Sequence, residues 1–265
     1  MCSTCGCGAD EVRVRLLTDD SAVPAVHDHD HDDPHHAHHG HHEDRTHSVA
    51  LEQAVLARND HLAAHNRDWL GAHGVTAINL MSSPGAGKTT LLERTIGEAG
   101  LPVSVIEGDQ ETTFDATRIR NAGARAVQVN TGAGCHLDAS MVGRALEQLR
   151  PDRGLLVIEN VGNLVCPALF DLGEQRKVVV ISVTEGDDKP LKYPHMFSAA
   201  DLVVINKVDL LPYVDFDVER FTRDARLLRP DVEILTVSAR TGEQLADWYR
   251  WLNSNVRQLD RPGLD

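Results

Sequence analysis

One stretch of nine residues limits the folds open to this chain: Ser82-Ser83-Pro84-Gly85-Ala86-Gly87-Lys88-Thr89-Thr90, with the apolar run 76–81 before it and Leu91-Leu92-Glu93 after it. The order predicts strand, phosphate loop, helix. Small residues let successive backbone N–H groups turn toward one anion where the helix begins. Lys88 brings a positive charge to the outer phosphates, and the Thr89 hydroxyl is placed to ligate Mg2+. Gly85, Ala86, Gly87, Lys88, Thr89 and Thr90 are therefore the expected nucleotide contacts. The usual pattern opens with Gly, and Ser82 stands there instead. The Gly87-Lys88-Thr89 end, which carries most of the chemistry, is intact.

The rest of the chain supplies the sheet such a loop needs. Apolar, β-branched runs predict strands at 76–81, 103–107, 126–129, 155–159, 178–183, 202–205 and 232–237. Helical patterns at 88–98, 113–122, 137–149, 216–228 and 244–252 fill most intervals. This alternation predicts an α/β fold, a mostly parallel sheet flanked by helices. Ligands of such sheets bind beyond the carboxyl ends of the strands, where each motif below falls.

Residues 1–47 have another character. Ten of the fifteen histidines lie between His27 and His47, among Asp28, Asp30, Asp32, Asp33, Glu43 and Asp44. A segment so poor in large apolar side chains is expected to be disordered. From 48 to 70, Leu51, Val55, Leu62 and Leu70 recur at roughly helical spacing, which predicts an amphipathic helix with Ser48 as N-cap and Gly71 and Gly74 at its end. The expected organisation is a metal-binding tail over 1–47, a lead-in helix over 48–74, a nucleotide domain over 75–258 and a short tail over 259–265. The formal charge of −14, from 40 acidic and 26 basic residues, argues against nucleic acid as a partner. No apolar run approaches the ~20 residues of a membrane span and no signal segment is evident, so a cytoplasmic protein is expected.

The base is predicted by Asn206-Lys207-Val208-Asp209, directly after strand 202–205. A carboxylate at Asp209 accepts from both the ring N–H and the exocyclic amine of guanine. Adenine offers no such pair and would leave the acid half satisfied. Asn206 fixes the loop, the Lys207 stem lies on the ring, and the Ser238-Ala239 backbone can reach the guanine carbonyl. GTP and GDP are the expected nucleotides. Glu159-Asn160-Val161-Gly162 ends strand 155–159 and is similar to the Asp-x-x-Gly run of GTPases, with Glu in place of Asp. Gly162 is expected to donate its N–H to the outermost phosphate. Glu159 and Asp109 are expected near Mg2+ or the attacking water, so Lys88, Asp109, Glu159 and Gly162 form the expected catalytic group.

The cysteines add a metal. Cys135-His136 lies in a Gly132-Ala133-Gly134 loop and Cys166 lies four residues past Gly162. Two thiolates and an imidazole suit Ni2+ or Zn2+, with a water or a second subunit completing the shell. Cys2, Cys5 and Cys7 present three more thiols able to wrap one soft metal ion, and the histidine tract reads as a low-specificity metal store.

Together these residues resemble the HypB family, GTPases that help load nickel into [NiFe]-hydrogenase. The resemblance rests on Cys2-Ser3-Thr4-Cys5-Gly6-Cys7, the histidine tract, 82–90, Ile106-Glu107-Gly108-Asp109, Gly134-Cys135-His136, the run from Glu159-Asn160 to Cys166-Pro167, and Asn206 to Asp209. It implies a homodimer of the SIMIBI class of NTPases, with Cys135, His136 and Cys166 forming a metal site near the dimer interface. It further implies a tight nickel site at Cys2, Cys5 and Cys7, a HypA-type nickel accessory protein as partner, and a place in the maturation of the hydrogenase large subunit. A urease-accessory-type nickel GTPase would share the nucleotide motifs but leaves Cys2, Cys5, Cys7 and the separate Cys166 without a use. A pure metal store would leave the nucleotide motifs idle, and a small-molecule kinase would have no reason to carry the guanine motif.

Overall fold

The structure, a computed structural model, describes residues 13–16, 44–109, 114–132 and 134–258. The expectations for Cys2, Cys5, Cys7, the histidine tract and 259–265 lie outside these residues. At the centre is an eight-stranded sheet built from β1 (Arg13–Leu16), β2 (Val75–Ser82), β3 (Val103–Asp109), β4 (Arg125–Asn130), β5 (Gly154–Glu159), β6 (Arg176–Ser182), β7 (Leu202–Asn206) and β8 (Glu233–Thr236). Its spatial order is β1-β4-β3-β5-β2-β6-β7-β8. Every pairing from β4 to β8 is parallel, and only β1 runs antiparallel, on β4.

The strands are apolar on both faces because helices cover both. Along β6, Val178 and Val180 face one cluster while Val179 and Ile181 face another, the period of two that a pleated strand imposes. On one face α2 (Lys88–Glu98), α3 (Phe114–Asn121) and α8 (Leu245–Gln258) pack through Leu91, Leu92, Ile119, Trp248 and Leu252. On the other, α1 (Asp44–Ala72) and α4 (Ala139–Leu149) cover one half through Leu70, Val142 and Leu146. The second half of that face is covered by α6 (Pro194–Ala199) and α7 (Val218–Leu228), through Phe197 and Phe221, with the short α5 (Lys189–Lys192) at their end. Strand β2 lies between β5 and β6, where the chain's path across the sheet reverses. Such a reversal opens a crevice at the carboxyl ends of the strands.

Three expectations change. Residues 1–47 are not wholly without regular structure, since Arg13–Leu16 form an edge strand in register with 127–130. Val14 packs on the core of α1 and α4, and the β4 backbone satisfies the strand's hydrogen bonds. The lead-in helix begins at Asp44, which places Ser48 inside it and not at its cap. Its buried face is also not the expected apolar stripe: Val55 is 49 % exposed, whereas Asn59, Ala63, Asn66 and Leu70 are buried. These four repeat at helical spacing, and hydrogen bonding holds two of them. Asn59 donates to Asp171 O at 2.8 Å and accepts from Ala139 N at 2.9 Å. Asn66 donates to Ala139 O at 2.8 Å and Leu172 O at 3.0 Å. The helix is thus tied by polar contacts to the start of α4 and to the loop before β6.

Candidate nucleotide and metal site

The phosphate loop links β2 to α2. Gly85 and Gly87 take positive φ of 74° and 96°, a conformation glycine adopts without Cβ strain. An added Cβ at Gly87 would also lie 2.5 Å from Asn206 Nδ2. Ser82, the departure from the usual opening glycine, is fully buried, donates to Ser83 O at 2.6 Å and accepts from Lys88 Nζ at 2.7 Å. Its hydroxyl therefore holds the Lys88 ammonium inside the loop.

The guanine motif meets this loop from the end of β7, one strand beyond β6. Asn206 is buried and bridges two loops: Nδ2 donates to Ala86 O at 2.9 Å, and Oδ1 accepts from Ala239 N at 3.0 Å. Lys207, with φ 64°, donates from Nζ to Gly85 O at 2.6 Å. Ser238 Oγ donates to Asp209 Oδ1 at 2.6 Å, which fixes the direction of that carboxylate. The residues expected to hold base and phosphates, far apart in sequence, thus meet around the phosphate loop.

At the third corner, Thr89 Oγ1 donates to Glu159 Oε1 at 2.9 Å, both residues being buried. A hydroxyl and a carboxylate at the start of α2 form a set of hard oxygen donors that fits Mg2+. Asp109 closes β3 on the same edge, and the buried Glu107 is in register with Glu159. Gly162 lies against the phosphate loop: an added Cβ would sit 3.1 Å from Pro84 Cα and N. Lys189 pairs with Glu185 at 3.7 Å and Lys192 with Asp188 at 2.6 Å. Glu185 was not legible as part of the site. It accepts from Ser83 Oγ and from Ser182 N, and so braces the loop's second residue. The available signal was its place just past a strand end, as with Asp109.

The residues expected as metal ligands form a second cluster among the described residues. One ligand atom from each of Cys135, His136 and Cys166 lies within 4.8 Å of the others. The two Sγ atoms are 3.1 Å apart and the cysteines are free thiols. Cys166 opens a 3-10 turn, Cys166–Leu169, with Pro167 next. His136 is buried and stacks on Phe170 with ring centroids 4.0 Å apart. Burial pushes its pKa below the ordinary imidazole value, against a smaller opposing pull from Asp138, so the ring stays neutral and keeps a lone pair. Two soft sulfurs and a neutral imidazole suit a borderline divalent metal better than Mg2+ or Ca2+.

The profile of the family described as CobW/HypB/UreG, nucleotide-binding domain, matches residues 76–236. The hydrogenase maturation factor HypB of Azotobacter chroococcum is 60 % identical over 207 residues, 77 % of this chain and 68 % of that one. Its counterpart in Escherichia coli K12 is 53 % identical over 228 residues, 82 % of this chain and 79 % of that one. The chain belongs to the HypB family of hydrogenase maturation factors. Solved HypB structures share the fold as well. HypB from Helicobacter pylori, crystallised in complex with nickel, superposes with a TM-score of 0.74 at 39 % identity, covering 78 % of this chain and 99 % of that one. HypB from Archaeoglobus fulgidus gives 0.72 at 43 % identity, covering 76 % of this chain and all of the other. The fold expected from sequence is thus the HypB fold, and the matched nucleotide-binding domain includes the phosphate loop, Glu159 and 206–209. No described helix is long and apolar enough to cross a membrane.

Proposed function

We propose that the chain is a GTP-hydrolysing nickel metallochaperone that stores nickel and delivers it for [NiFe]-hydrogenase maturation, with the nucleotide governing the internal metal site. The observation that carries this reading is the short path between the two sites. Gly162 touches Pro84 of the phosphate loop, and Cys166, four residues on, has its sulfur 3.1 Å from that of Cys135. The nickel complex of the Helicobacter pylori relative supports nickel as cargo.

The steps follow from the residues. The triphosphate lies on the backbone amides of 85–88, and Lys88 turns from Ser82 to the outer phosphates. Thr89 and Glu159 would hold Mg2+, which when bound neutralises charge on the outer phosphate oxygens. Asp109 orients water at the sheet edge, and the Gly162 amide donates to the outermost phosphate. Asp209 selects guanine, whereas the 238–239 backbone expected to help does not: the N–H groups of Ser238 and Ala239 already donate to Glu243 O and Asn206 Oδ1. Loss of that phosphate releases Gly162, shifts the Cys166 turn and loosens the three-ligand set, so nickel passes onward. A water or a second subunit completes the coordination shell, consistent with a homodimer. Zn2+ is the alternative occupant of the same ligands. Cys2, Cys5, Cys7 and the histidine tract act as store, a HypA-type accessory protein of the hydrogenase large-subunit pathway receives the metal, and the cytoplasm is the site of action.

The test is turnover. GTP is expected to be hydrolysed with at least ~100-fold preference over ATP, and Lys88→Ala to abolish that hydrolysis. Equal use of ATP would remove the guanine reading, and undiminished turnover in Lys88→Ala would remove the phosphate-loop assignment.

A further inference from the structure

A buried asparagine joins the two sites by a second route. Asn160, 1 % exposed, follows Glu159 at the end of β5, and its backbone N–H donates to Leu80 O at 3.0 Å, anchoring it to β2. Its side-chain oxygen accepts from Val161 N at 3.0 Å and from Leu137 N at 3.1 Å. Its side-chain amide donates to Asn79 Oδ1 at 3.2 Å, and Asn79 donates in turn to Glu174 at 3.2 Å. One oxygen atom therefore holds a backbone N–H from each of two loops. Val161 adjoins Gly162 against the phosphate loop. Leu137 directly follows His136.

Leu137 has little freedom of its own. Its side chain is fully buried against Gly108, where an added Cβ would lie 2.8 Å from Leu137 Cδ1. Gly108 precedes Asp109 at the end of β3. A shift of the 159–162 segment by about 1 Å stretches the Asn160–Leu137 bond past hydrogen-bonding range unless the loop bearing His136 moves too. A buried N–H without an acceptor is costly, so the paired movement is favoured. The Gly162-to-Cys166 path moves one thiolate. The Asn160 path moves the imidazole and Cys135.

We propose that Asn160 is a positioning residue that transmits nucleotide state to the Cys135–His136 arm of the metal site. The proposal rests on the reading that the nucleotide governs that site. Its test uses the full chain with Cys2, Cys5 and Cys7 changed to Ala, so that thiolate-to-nickel charge-transfer absorption reports only Cys135 and Cys166. Nickel affinity is measured with a non-hydrolysable GTP analogue and with GDP. The parent is expected to give an affinity ratio of about tenfold. Asn160→Ala is expected to bring that ratio close to one, while Asn160→Asp, which keeps both acceptor bonds, retains it. Asn79→Ala, which removes the bond to the Asn160 amide and the one to Glu174 but leaves both bonds to the Asn160 oxygen, is also expected to retain it. A parent ratio of one overturns the nucleotide-control reading and this proposal with it. A parent ratio that survives Asn160→Ala, or is lost equally in Asn79→Ala, overturns the proposal alone. Amide exchange at Leu137 in the unsubstituted chain gives a readout independent of how the variants fold. It should differ between the two nucleotides, and identical protection would equally overturn the role of Asn160.

Discussion

In the proposed function, one carboxylate decides which base is bound. Ser238 holds Asp209 by one oxygen, a bond that an amide oxygen could accept equally well. Asp209→Asn should therefore leave the loop in place while removing an acceptor for the guanine ring N–H and amine. Loss of about 2 kcal/mol, or ~30-fold in GTP affinity, is expected. Xanthine carries a carbonyl where guanine carries the amine, so its triphosphate should bind the variant better than it binds the parent. Competition against a fluorescent GTP analogue measures both, and unchanged GTP affinity would mean that Asp209 does not read the base. In the candidate metal site, the ring of Phe170 stacks on His136 and restrains its plane. Phe170→Ala should lower nickel affinity about 10-fold by freeing that ring, as read by titration against a chelator. A loss confined to protein stability would show that the stack serves packing alone.

Helix α1 shows how an element can be right in kind and misread in its contacts. Its existence followed from the spacing of Leu51, Val55, Leu62 and Leu70, but Asn59 and Asn66 make the attachments. Asn66→Ala should cost about 1–3 kcal/mol, because it leaves the carbonyls of Ala139 and Leu172 without their donor. Val55→Ser should stay within about 0.5 kcal/mol, as expected of an exposed position. Urea unfolding compares the two, and a larger cost at Val55 would restore the apolar stripe. Periodicity reports apolar side chains and is blind to buried amides that pair with distant backbone. The strands were legible for the converse reason: β2, β5 and β7 are buried along their whole length, so nearly every residue in them is apolar or β-branched. Asn160 and Glu185 were not legible as contacts, since each is a single polar residue whose partners lie 23 and 102 positions away. Edge strand β1 escaped notice because it is only four residues long, with Val14 and Leu16 alternating with Arg13 and Arg15, and depends on β4 for its hydrogen bonds.

At the scale of the whole molecule, the sheet order does the assembling. Placing β2 between β5 and β6 sets the phosphate loop beside Glu159 on one side and Glu185 on the other. The next strand, β7, brings Asn206 to Ala86. Cys135, His136 and Cys166, the candidate metal ligands, hang from the loops after β4 and β5, a few residues beyond the same edge. In the proposed function a change at the phosphates reaches the thiolates without rearranging the core, through the eight residues from Glu159 to Cys166. The most direct test is the rate at which nickel leaves the Cys135–His136–Cys166 site of the loaded protein into excess chelator. It is followed after mixing with GTP, a non-hydrolysable analogue, or GDP. Retention is expected with the analogue, release at the pace of turnover with GTP, and prompt release with GDP. One release rate common to all three nucleotides would mean that the nucleotide does not govern the metal site.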